Sequence, residues 1–95
     1  MTPQVGTTEA RDGWDSAVYI GGEYTLSHVG IDAGGRFYLY GGAIPAPVSG
    51  ETRATFASLR EVRAAVRAAL EAGATRGGAL AQAAGAAHYL PGVPA

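Results

Sequence analysis

The chain contains no cysteine and no lysine. Without thiols it can form no disulfide, no thiolate zinc site and no cysteine nucleophile. Without lysine, all seven basic residues are arginine, a pattern that a GC-rich coding bias produces before any selection for guanidinium chemistry. Excess charge is also lacking. Seven basic residues against eight acidic ones leave a net charge of −1, whereas non-specific adhesion to DNA or an anionic membrane needs a basic excess. No apolar run approaches the roughly 18 residues of a spanning helix. Met1 to Ala10 has neither the charged start nor the apolar stretch of a secretory signal, so the expected location is the cytoplasm. Large apolar side chains are scarce too. Val, Ile, Leu, Met, Phe, Trp and Tyr supply 25 of 95 residues while Ala and Gly supply 35, so the 47% hydrophobic share overstates the core.

What is present reads as one small domain. Residues 1–15 are polar apart from Val5 and Trp14 and lack periodicity, which predicts a flexible or loosely docked arm. Trp14 reads as a plug at the domain edge. The domain proper is expected over 16–90, with a frayed tail at 91–95.

From Ser16 to Gly42, short runs rich in Val, Ile, Tyr, Phe and Thr are punctuated by Gly-Gly pairs. Three strands follow: Ala17–Ile20, Glu23–Ile31 and Arg36–Tyr40. Gly21-Gly22 fits a two-residue hairpin and Ala33-Gly34-Gly35 a slightly longer one, because glycine takes the positive φ that tight turns need. Closing the first hairpin at Ile20 and Glu23 sets Val18 opposite Thr25 and Tyr19 opposite Tyr24. Closing the second at Asp32 and Arg36 sets Ile31 opposite Phe37, Val29 opposite Leu39 and His28 opposite Tyr40. Strand alternation then gives a core face of Val18, Ile20, Val29, Ile31, Phe37 and Leu39. The reverse face carries Tyr19, Tyr24, Leu26, His28, Tyr38 and Tyr40.

Residues 43–51 read as a loop, since Pro45 and Pro47 cannot donate to a central ladder. Thr52–Phe56 could add a short strand at an edge. Ser58-Leu59-Arg60-Glu61 is a capping box opening a helix from Leu59 to Ala72, with Gly73 as its stop. The stripe Leu59, Val62, Val66 and Leu70 is expected to pack on the core face. Arg76-Gly77-Gly78 reads as a break, and Ala79–Leu90 as a marginal second helix interrupted by Gly85. The fold class is therefore α+β: a three-stranded antiparallel meander, four-stranded if 52–56 joins, on one main helix, with a weak short C-terminal helix.

The tyrosine-rich face is the main candidate site, because tyrosine offers broad apolar surface and a hydroxyl at small entropic cost. It is either an exposed binding platform or the surface that Ala79–Leu90 covers. Arg60, Arg63 and Arg67 share one arc of the helix beside the apolar stripe, and could grip carboxylates or phosphates. Glu71 sits four residues after Arg67 and could pair with it. The bare flank of Ala65, Ala68, Ala69 and Ala72 permits close approach of another helix. Nothing points to catalysis. His28 and His88 lack a metal or carboxylate constellation, no G-x-S-x-G occurs, and the Gly-Gly pairs lack the Gly-Lys-Ser/Thr of a phosphate loop. Glu9, Asp12 and Asp15 lack the other ligands of a calcium loop. No cofactor is expected.

Gly30-Ile31-Asp32 with its glycine-rich turn, then Ala54-Thr55-Phe56-Ala57-Ser58-Leu59-Arg60-Glu61-Val62 leading into Ala64-Ala65, resembles a pattern in small phage and mobile-element proteins, some anti-CRISPR proteins among them. The resemblance spans about residues 17–70. It implies a non-catalytic inhibitor docking on a host protein complex, often a nucleoprotein, and transfers no site residues because that group shares no site motif. The expected function is thus a protein-binding module using Tyr19, Tyr24, His28, Tyr38 and Tyr40. One alternative is single-stranded nucleic-acid binding on the same face, with Arg36, Arg53 or the helix arginines on phosphates. Another is a homo-oligomeric subunit.

Overall fold

Asp32 organises the clearest piece of the fold. Its Oδ1 accepts from the backbone N–H groups of Gly34 and Arg36, each at 2.9 Å, which folds the chain back on itself. Gly35 completes the turn at φ +79°, a conformation that favours glycine. In the computed structural model, which describes residues 3–8, 16–21, 27–41, 44 and 53–85, this turn joins two of four strands. These are β1 (Val5–Thr7), β2 (Ser16–Ile20), β3 (Ser27–Ile31) and β4 (Phe37–Tyr40), followed by α1 (Leu59–Glu71) and α2 (Arg76–Ala84). The strands form one antiparallel sheet in the order β1-β2-β3-β4.

The fold is α+β, as the residue pattern predicts, and the β3–β4 register is the expected one: Ile31 pairs with Phe37, Val29 with Leu39 and His28 with Tyr40. Two features of the sheet differ. Val18 pairs with Ser27 instead of Thr25, a slip of two residues. The Gly21 N–H donates to the Gln4 carbonyl at 2.7 Å, which keeps Gly21 in the ladder to β1. A two-residue slip preserves the alternation, so the described side chains of β2 and β3 keep their expected faces. The added strand also comes from elsewhere. Val5–Thr7, expected within a flexible or loosely docked arm, pairs along β2, whereas the described residues 53–56 contribute a single bridge, Phe56 to Phe37. Trp14 and residues 9–15 lie outside the described residues, as do 86–95.

Both helices cover the same side of the sheet. Val18, Ile20, Val29 and Leu39 meet Val62 and Val66 of α1 and Leu80 of α2 in one buried cluster. Each such side chain contributes about 1.5–3 kcal/mol when fully buried. Helix α1 lies over β1 and α2 over β4, with the two helices packed on each other. The capping box forms with one change of partner. Ser58 Oγ accepts from the Glu61 N–H at 3.3 Å, while the Glu61 carboxylate accepts from Ala57 N–H at 2.7 Å. At the other end Gly73 (φ +99°) donates to the Leu70 carbonyl and Ala74 to that of Ala69, the paired bonds of a Schellman stop.

Helix α2 starts earlier than the sequence suggests. Arg76-Gly77-Gly78 is its first turn and not a break, because Thr75 Oγ1 accepts from the Gly78 N–H at 3.1 Å and offsets the poor propensity of the glycines. Gly85, read as an interruption, is the left-handed cap at φ +70°. Small side chains explain how so plain a helix persists. Gly78, Ala79, Ala81, Ala83 and Ala84 are all buried, so tertiary contact replaces intrinsic propensity. On α1 the Ala65 and Ala69 part of the bare flank packs against this core, while Ala68 and Ala72 remain exposed.

Two further departures concern single residues. Ile31 lies on the helix side of the sheet but is 60% exposed, since it sits beyond the helical cover. Ile44, within the expected 43–51 loop, is buried in the core and forms a two-way backbone bridge with Gly41.

Candidate functional site

The face of the sheet turned away from both helices is built by alternation. Because Val5, Val18, Val29 and Leu39 point to the helices, Gly6, Tyr19, His28, Gly30, Tyr38 and Tyr40 point the other way. Tyr19, His28, Tyr38 and Tyr40 therefore share one surface, as expected, and all four are half-buried. Tyr24 and Leu26 lie outside the described residues. The expectation that the C-terminal helix could cover this face does not hold for α2, whose buried residues join the opposite side.

Glycines determine the shape of the surface. Tyr19 is the cross-strand partner of Gly6, and Tyr38 of Gly30. In both pairs the ring lies across the glycine, so that a Cβ added at Gly6 or Gly30 would overlap the tyrosine. Laying an aromatic ring over a strand glycine protects the backbone and keeps the ring flat against the sheet. The Tyr40 ring stands 5.4 Å from His28 and 5.8 Å from Tyr38, centroid to centroid and tilted in both cases, within the range of favourable aromatic contact. Below them, the buried Ser27 hydroxyl donates to the Tyr40 carbonyl at 2.7 Å and anchors the end of β4. Sequence reading found the tyrosines but not the glycines beneath them. The available signal was the placement of Gly6 and Gly30 opposite tyrosines, which only the strand register reveals.

The α1 arginines expected to join this surface do not. Arg60, Arg63 and Arg67 belong to α1, on the helix side of the sheet. Arg63 Nη1 donates to Thr7 Oγ1 of β1 at 2.7 Å. Arg60 and Arg67 are exposed and bond to no described residue, so the possible Arg67–Glu71 pair does not form. Arg36 is held along the 53–56 segment by Nε to Thr55 Oγ1 at 2.9 Å and Nη2 to the Thr55 carbonyl at 3.2 Å. Arg53, considered above as a phosphate ligand, is only 8% exposed and donates from Nη1 to the Leu39 carbonyl at 3.1 Å. Its guanidinium braces the margin of β4 from within.

Among the described residues no group of three His, Cys, Asp or Glu side chains could hold a metal ion, and no helix is long and apolar enough to cross a membrane. The surface can thus offer ring stacking, apolar contact, and the hydrogen-bonding ends of Tyr and His. No protein-family model, no curated protein and no solved structure matches the chain.

Proposed function

We propose that this protein is a non-catalytic, cytoplasmic binding module that docks on another protein through the face of Tyr19, His28, Tyr38 and Tyr40. One observation carries the reading: these aromatic side chains sit together on the side of the sheet opposite both helices, with two rings laid flat over glycines. Tyrosine-rich, rigid and amphipathic surfaces are what protein interfaces concentrate. The α1 arginines lie on the helix side of the sheet and Arg53 is buried, which also favours a protein over a polyanion. Nucleic-acid binding would need phosphate contacts, and Arg36, Arg53 and the α1 arginines are engaged or placed elsewhere. The narrower role of a phage-type inhibitor rests on the sequence resemblance alone.

Affinity capture with the immobilised protein, followed by mass spectrometry, tests the reading. Tyr40→Asp is expected to abolish capture of a partner retained by the wild type, with a thermal midpoint within a few degrees. Unfolding of both Tyr40→Asp and the milder Tyr40→Ala would instead make this face part of the core and defeat the proposal. Salt-dependent binding of single-stranded oligonucleotides, read by fluorescence anisotropy, would favour the nucleic-acid alternative.

A further inference from the structure

We infer that the outer edge of β1, bordered by the α1 arginines, is a docking site for an extended acidic segment of another protein, added to the sheet as a fifth strand. This does not rest on the tyrosine face. In an antiparallel ladder successive residues direct their backbone groups alternately to one neighbour and then the other. The bonds from Gly21 to Gln4 and from Thr8 to Ala17 show that Gln4, Gly6 and Thr8 face β2. Val5 and Thr7 therefore direct their N–H and C=O groups outward, where no described residue meets them. The far edge is different. Along β4 and just past it, Phe37 is bonded both ways to Phe56, the Leu39 carbonyl takes Arg53, and Gly41 is bonded both ways to Ile44. Among the described residues, one edge of the sheet is closed and the other is open.

Charge selects the occupant. The Arg63–Thr7 bond fixes the Arg60/Arg63/Arg67 side of α1 over the β1 edge, while Ala65 and Ala69 on the other flank pack toward the core. A strand added at β1 would send every second side chain toward the helix layer and hence toward these guanidinium groups. Acidic residues at those positions would meet Arg60 and Arg67, which are exposed and bond to no described residue. A second copy of this chain would instead bring two arginine stripes together, and like charges in register oppose association. A nucleic acid would satisfy the arginines but not the outward N–H and C=O groups, which call for a peptide backbone.

Isotope-labelled full-length protein titrated with a blocked peptide of alternating threonine and glutamate gives the test. Three comparisons accompany it: the threonine–lysine counterpart, an N-methylated glutamate version, and the Arg60→Glu/Arg67→Glu variant. The acidic peptide is expected to shift the amide resonances of Val5 and Thr7, and to bind more weakly as salt rises. N-methylation should remove binding. The double variant should bind at least about ten-fold more weakly, the effect of losing charge-assisted contacts. The inference fails if the acidic peptide does not bind at millimolar concentration, if the lysine peptide binds equally well, or if the double variant is unaffected. Shifts confined to the tyrosine face, or a dimer paired through β1 in light scattering, would overturn it as well.

Discussion

The two faces of one sheet are built by opposite means. Toward the helices, branched side chains interlock: Val18, Ile20, Val29 and Leu39 are buried against Val62, Val66 and Leu80. On the other side aromatic rings lie on glycines, and Tyr19, His28, Tyr38 and Tyr40 remain half-exposed. The first arrangement obtains its stability by excluding water between layers. The second relies on the neighbouring strand, because the Tyr19 and Tyr38 rings use the backbone at Gly6 and Gly30 as their floor and Tyr40 leans on His28 and Tyr38. A chain with few large side chains can in this way finish a sheet with one layer of helices and keep its aromatic surface accessible.

Substitutions can separate the two faces. Leu39→Ala should have the largest effect, a loss of about 2–5 kcal/mol in urea denaturation, since it opens a cavity between sheet and helices. Gly30→Ala should change stability by no more than about 1 kcal/mol, because the methyl group lowers unfolded-chain entropy while displacing the Tyr38 ring. Its signature is instead loss of nuclear Overhauser contacts between that ring and residue 30. A destabilisation as large as that of Leu39→Ala would mean that the outer face is a second core. Ile31→Thr should have the smallest effect, within about 0.5 kcal/mol by thermal denaturation, since the side chain is exposed despite its position on the helix side. A larger loss would show that the helical cover extends further than the packing indicates.

Much of this contrast was legible in the residues because alternation is a property of sequence. The Asp32–Gly35 turn fixed the β3–β4 register directly, and the placing of Tyr19, Tyr38 and Tyr40 on one face survived a two-residue slip between β2 and β3 because an even slip preserves alternation. The start of α1 was legible in Ser58 and Glu61, and its end in Gly73. What escaped depended on tertiary contact. Val5-Gly6-Thr7 is too short to show a period and carries a glycine at its centre, so its strand character comes from pairing with β2 and from the ring of Tyr19. The glycines of Arg76-Gly77-Gly78 oppose helix formation locally, yet Thr75 caps the turn and Gly78 is buried. Arg53 looked like an exposed cation because most arginines are. Its burial follows from the Leu39 carbonyl that faces the margin of β4, which composition cannot reveal.

Arg53 also limits how this sheet can grow. An assembly that extends indefinitely by strand pairing needs two compatible edges on every subunit, one to accept and one to offer. By occupying the Leu39 carbonyl between the Phe37–Phe56 and Gly41–Ile44 bridges, the buried guanidinium removes the second edge. The strand addition proposed at β1 would then end after one segment, without making the fold the repeat unit of a fibre.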